Sequence, residues 1–123
     1  MEQGYLWSSN SFSHDLPFLW VSDGQSLVEL PRHPFGDGRI YGHNDSGTPR
    51  DALEVWKAAF DELYEESEEA PTFCPLTFHP YISSRPGRAK ALAELIEYMK
   101  KHKGVWIATG SEVARCCLDQ LAG

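Results

Sequence analysis

In DALEVWKAAFDELYEES (51–67) the apolar positions Leu53, Trp56, Phe60, Leu63 and Tyr64 recur three and four apart, separated mostly by charged or small residues. That spacing predicts an amphipathic helix of about four turns with one buried face. Its start is marked by Thr48 as N-cap, Pro49 in the first turn, and Asp51 to close a capping-box pair. The acidic run Glu65, Glu66, Glu68 and Glu69 reads as a solvated face at its end. APTFCPLTFHP then reads as a strand of about seven residues, with Pro75 confining it to an edge or interrupting its ladder. After the SSRPGR loop, Leu92, Leu95, Ile96 and Met99 form the stripe of a second helix beginning near Pro86. Lys100, Lys101 and Lys103 suit its C-terminal dipole, and Gly104 is its stop. VWIA (105–108) reads as a short buried strand, and Thr109 with Glu112 opens a last helix to about Leu121.

The first 48 residues are less regular. GYLWSS suits a short strand, SLVELP (26–31) alternates more clearly, and HPFGDGRIYGHNDSGTP reads as loop. Residues 1–48 are therefore expected to be loop-rich and 49–123 to be αβαβα. Alternation of helix and strand implies an α/β fold with parallel strands and right-handed crossover helices. Three or four such strands cannot close a barrel of about eight, and an open sheet of that size leaves unpaired edges. The pattern predicts part of a larger α/β domain.

Composition narrows the function classes. The 123 residues carry a net charge of −7, which argues against non-specific binding to nucleic acid or an anionic membrane. No apolar stretch approaches the roughly 20 residues of a membrane span. The opening MEQGYLWSSN shows no basic or apolar signal-peptide region. Three cysteines, two of them adjacent at 116 and 117, read as free thiols in a reducing cytoplasm.

The chemistry-bearing residues cluster late in the chain. His79 ends an apolar run and sits just before Pro80, at the C-terminal end of a predicted parallel strand, where barrel enzymes place catalytic groups. Arg85 and Arg88 flank the Pro-Gly turn, suited either to a carboxylate or to bracing the loop. Asp15 follows His14 in a loop that suits either substrate contact or no role at all, and Trp20 follows Phe18 and Leu19 as a candidate cleft-lining aromatic. His43, Asn44 and Asp45 suggest a metal cluster, but adjacent residues chelate one ion poorly, so a polar loop is the expectation.

LTFHPYISSRPGR, followed by a Leu-rich helix and GVWIATGSEVAR, resembles the end of the NodB-type polysaccharide deacetylases, in the branch with allantoinase-like and peptidoglycan-deacetylase-like members. EVWKAAFDELYEES, GYLWSSNSFSHDLPF and LVELP resemble that family's preceding helix, its G-Y-x-Y-D-S-S…D-x-P-Y stretch and its L-x-E-L-P strand. The resemblance implies the C-terminal half of a distorted (β/α)7 barrel and a metal-dependent hydrolase of carbon–nitrogen bonds other than peptides. It implies His79 as proton donor, an acidic family position at Asp15, and an N-acetylated sugar or small ureide-type molecule as substrate; with Trp20 and Arg85, read from the residues themselves, Asp15 makes up the candidate substrate contacts. The family's divalent metal, usually zinc, is held by an early aspartate and a His-x-x-x-His pair, while a second early aspartate is the base. None has a counterpart here: the histidines are 14, 33, 43, 79 and 102. RHPFGDGRIYGHND likewise stands where Asp-Asp-Trp-like residues are usual. The chain alone is thus expected to hold no metal and to be inactive. A cytoplasmic homo-oligomer, or a complex with a complementing N-terminal half, is the expected assembly. The rival reading is a non-catalytic remnant or assembly module.

Overall fold

The computed structural model of the chain describes residues 3–42 and 47–122. His43, Asn44 and Asp45 lie outside them. The fold separates into two compact units: Met1–Arg32 with Ile107–Gly123, and His33–Trp106.

The first unit is built on a three-stranded mixed sheet of order β1-β3-β2. β1 (Trp7–Ser8) runs parallel to β3 (Gln25–Glu29), with Trp7 opposite Val28 and Ser8 opposite Glu29. β2 (Phe18–Ser22) pairs antiparallel with β3 in a hairpin whose turn is Asp23-Gly24, both at positive φ (51° and 75°). Two consecutive left-handed residues match the right-handed strand twist, which is why Asp-Gly is a strong hairpin signal. The expected strands at GYLWSS and SLVELP are present; β2 and the hairpin were not anticipated. In the same unit α5 (Gly110–Ala122) packs on β1 and β3 and buries Ala114. Its start is the expected Thr109–Glu112 box: Glu112 accepts from the Thr109 amide at 2.7 Å and hydroxyl at 2.9 Å.

The second unit is helical. α2 (Pro49–Glu66) begins at the expected Thr48–Asp51 capping box. It packs along α4 (Arg88–Lys100). Trp56, with no exposed surface, centres a core of Tyr41, Ala52 and Leu95, joined by Leu76, Phe78 and Ile82. The Tyr41 and Phe78 rings meet Trp56 edge-on at 6.2 and 5.1 Å, and its indole N–H donates to the Phe35 carbonyl at 2.7 Å. Burying the indole with its one donor satisfied avoids the cost of an orphaned polar group.

Two expectations are corrected. Residues 71–79 and 105–108 are not strands: among the described residues neither has a ladder partner. A parallel strand is stable only between neighbours, and Pro75 removes one donor besides. Among the described residues, 49–122 thus form three long helices and a short one, joined by segments without a ladder. Within the stretch read as loop, Asp37–Tyr41 form α1, a single helical turn. The second long helix, α4, starts near Pro86 as expected, at Arg88 after Gly87, and Pro80–Ser83 form α3 before it.

Candidate active site

The site is assembled by two short helices that the sequence pattern hides. Gly36 caps α1, and Asp37 follows as its first residue; the Asp37 amide donates to the Thr77 carbonyl at 3.1 Å. A Cβ added to Gly36 would lie 2.9 Å from that same carbonyl oxygen, so only glycine lets α1 approach the 71–79 segment this closely. Across from it, His79 caps α3 with an extended backbone (φ −107°, ψ 129°), and its carbonyl accepts the amides of Ile82 and Ser83, both at 2.9 Å. Pro80 supplies the first helical position, where a missing N–H costs nothing. His79 is therefore fixed by a helix start.

These two helices place a buried acid beneath a half-exposed base. The Asp37 side chain has no exposed surface, whereas 43% of the His79 side chain is exposed. Asp37 Oδ1 lies 2.7 Å from His79 Nδ1; Oδ2 accepts from the His79 amide at 2.6 Å and from the buried Ser83 hydroxyl at 2.7 Å. Burial pushes the Asp37 carboxyl up, but the hydrogen bonds from the His79 ring and amide, Ser83 and the Gly38 amide outweigh it. The net direction is down. An ionised carboxylate only accepts, so Nδ1 must carry a hydrogen, leaving Nε2 as the nitrogen that faces chemistry. This is the orienting half of an acid–base pair.

Beside His79 opens a cavity of about 610 Å³ lined by Gly38, Gly42, Tyr81, Ile82, Arg85, Pro86 and Arg88. The Tyr81 and His79 rings are 5.6 Å apart. The Arg88 guanidinium stacks over the Tyr41 ring at 4.1 Å. The Tyr41 hydroxyl is buried and finds no partner among the described residues. Burial pushes its ionisation up, with Arg88 opposing and Asp37 reinforcing the shift.

Of the residues singled out from the sequence, His79 and Arg85 fall in this unit, Arg85 at the cavity wall. Asp15 and Trp20 fall in the other unit. Asp15 is exposed on a loop; Trp20 is half-exposed on β2, edge-on to Phe18 at 5.2 Å and hydrogen-bonded to Glu29. Sequence reasoning missed Asp37 and Ser83. Gly-Asp-Gly reads as an ordinary loop, so nothing local marked Asp37; the one available signal was a serine one helical turn after His79.

The described residues do not assemble a metal centre. No group of three or more His, Cys, Asp or Glu comes together among them, whereas zinc takes three or four well-placed ligands. The close pair, Asp37 and His79, already spends Nδ1 on Oδ1.

No family model matches the chain. Among curated proteins, a peptidoglycan deacetylase of Helicobacter pylori is 34% identical over 101 residues, 81% of this chain and 31% of its own length. Among solved structures, a probable polysaccharide deacetylase from Pseudomonas aeruginosa PAO1 superposes with a TM-score of 0.88 at 28% identity, over 97% of this chain and 41% of that one. The Puue allantoinase does so with a TM-score of 0.87 at 30% identity, over 96% of this chain and 40% of that one. The chain thus spans under half the length of each. Polysaccharide and peptidoglycan deacetylase homologues and an allantoinase cover most of it, so the resemblance carried by LTFHPYISSRPGR is borne out, as a partial NodB-like domain.

Proposed function

From that relationship we propose that the chain is the C-terminal half of a distorted (β/α)7 barrel and supplies the proton donor of a metal-dependent hydrolase acting on non-peptide carbon–nitrogen bonds. The observation that carries the reading is the Asp37–His79 pair: a buried carboxylate fixing one ring nitrogen of a half-exposed imidazole. Amide hydrolysis fails unless the departing amine is protonated, because an amide anion is a very poor leaving group. His79 Nε2–H, charged and held by Asp37, gives its proton to that nitrogen as the carbon–nitrogen bond breaks, and the neutral ring then keeps its Nδ1 hydrogen on Asp37. Asp37 does not itself become protonated; it holds the ring's orientation and stabilises the imidazolium. The metal such hydrolases use would be held elsewhere than on the described residues, so the chain by itself is inactive in this reading.

The substrate is an N-acetylated sugar or a small ureide-type molecule. Asp15 is carried as a substrate contact on the resemblance, and Trp20 as a cleft-lining aromatic on its place beside Phe18 and Leu19. The three free cysteines, Cys74, Cys116 and Cys117, suit a reducing cytoplasm. A second reading, an assembly module, is favoured by the unladdered segments 71–79 and 105–108. Their backbone groups suit pairing with a second copy or with a complementing N-terminal half. No helix among the described residues is long and apolar enough to cross a membrane.

The test is a chimaera in which this chain replaces the matched segment of the Pseudomonas deacetylase. His79→Ala in it should lower turnover by about 10²–10⁴-fold while leaving metal content intact. Full turnover without His79 would refute the assignment.

A further inference from the structure

A buried hydroxyl stands behind the Asp37–His79 pair. Ser83 is 4% exposed and ends α3, one helical turn after His79, whose carbonyl accepts the Ser83 amide at 2.9 Å. Its Oγ lies 2.7 Å from Asp37 Oδ2. An ionised carboxylate only accepts, so the hydroxyl must donate. A hydrogen bond to a charged oxygen is stronger than one between neutral groups, and this one is shielded from water.

The other donors on the same carboxylate decide what that bond does. The terminal torsion of an aspartate is broad, so its hydrogen bonds, not its rotamer, set the carboxylate plane. The His79 amide already holds Oδ2 at 2.6 Å, and the Gly38 amide donates to the same carboxylate. Both are backbone groups fixed at helix starts, so the carboxylate keeps its orientation without Ser83. What remains is an effect on charge. The two oxygens share one negative charge, and a donor on Oδ2 draws it away from Oδ1, which faces His79 Nδ1 at 2.7 Å. Less charge at Oδ1 means a weaker hold on the imidazolium, and so a more readily released ring proton. Two further groups interact with this cluster: the Tyr41 phenol on α1 and the Arg88 guanidinium of α4 over its ring. The 71–78 segment against α1 brings only the Cys74 thiol, which burial pushes up and keeps neutral. Arg50, Asp51 and Glu54, which open α2, are exposed to water. A change at Ser83 removes none of these groups.

We propose that Ser83 is a positioning residue for the proton donor: through Asp37, its hydroxyl keeps the His79 ring proton held loosely enough to be given to a departing amine. The inference rests on the reading of His79 as proton donor and names what regulates that same site. A hydroxyl suits the task because it donates one hydrogen without bringing a charge. It trims the pull of the carboxylate on the ring, where a lysine or arginine would cancel most of it.

The full 123-residue chain is titrated with acid and base while the His79 ring resonances are followed by NMR. Ser83→Ala should make the ring hold its proton about fivefold more tightly, the size of the coupling between neighbours in one hydrogen-bond network. It should also move the Nδ1–H signal downfield. Ser83→Cys, a weaker donor of similar size, should give part of that change, and Ser83→Thr, which keeps the hydroxyl, should give little. In a chain that already carries Asp37→Asn, adding Ser83→Ala should leave the ring unaffected. Ser84→Ala, at the exposed neighbour whose hydroxyl bonds the Pro80 carbonyl, should change nothing. A ring proton held equally tightly or more loosely, in whichever of the Ser83→Ala and Ser83→Cys chains folds, would overturn the proposal. So would an Asp37→Asn chain that still responds to Ser83→Ala. Because no turnover is measured, failure here leaves the chimaera result for His79 to stand or fall by itself.

Discussion

Two buried carboxylates, Glu29 in the first unit and Asp37 in the second, solve the same electrostatic problem with different partners. Glu29 is 2% exposed and accepts from the Ser8 hydroxyl, from the Asn10 amide at 2.6 Å and the Ser11 amide at 2.7 Å, and from Trp20. Burial pushes its carboxyl up; those hydrogen bonds outweigh it, so the direction is down, as for Asp37. The energetics are alike, and the consequences are not. All of Glu29's donors are groups that cannot titrate near neutral pH, and they tie β1, β2 and the following loop to β3. Asp37 spends one oxygen on an imidazole that is partly in water beside a cavity. A satisfied buried acid is thus structural or functional according to what donates to it, and a depressed carboxyl alone does not distinguish the two.

The largest expected effect is on stability. Glu29→Ala strands the Ser8 hydroxyl, the Asn10 and Ser11 amides and Trp20, which are part-buried or exposed and can partly turn to water, and should cost about 3 kcal/mol in all, near 1 kcal/mol for each lost hydrogen bond. His79→Ala removes one partly exposed partner and should cost only about 1 kcal/mol. Denaturant unfolding of both variants checks this; equal losses would erase the distinction between the two sites.

How much of this was legible in the sequence follows the same division. α2 and α5 were readable because capping boxes and three-and-four spacing are local, and both boxes form as written. The hairpin was readable in principle from Asp23-Gly24, but its flanking strands are short and half-exposed, so alternation alone did not reveal it. The segments 71–79 and 105–108 carry strand-like composition without a ladder, because pairing depends on a neighbouring strand that local sequence does not report. His79 was legible through its motif. Asp37 was not: it lies 42 residues away, and its role depends on a close approach that only Gly36 permits.

A smaller effect separates the sites by pH. Both carboxyls lie below their ordinary values, 3.8 for Asp37 and 4.5 for Glu29. A depressed acid contributes stability that is complete above its unfolded value and is lost as pH falls through the lowered folded value. Stability should therefore decline on acidification below about pH 4, and Asp37→Asn and Glu29→Gln should each make that decline shallower. Thermal melts between neutral and strongly acidic pH decide it; an unchanged acid limb in both variants would contradict the assigned ionisation.

The most direct measurement is the tautomer of His79, read from its ring nitrogen shifts by NMR at a pH where the imidazole is neutral. The account predicts the hydrogen on Nδ1, held by Asp37, with Nε2 bare. Asp37→Asn should abolish that preference, and Glu29→Gln should leave it untouched. A neutral ring carrying its hydrogen on Nε2 in the unmodified chain, or an Nδ1–H tautomer that survives Asp37→Asn, would contradict the claim that Asp37 sets His79 for proton transfer.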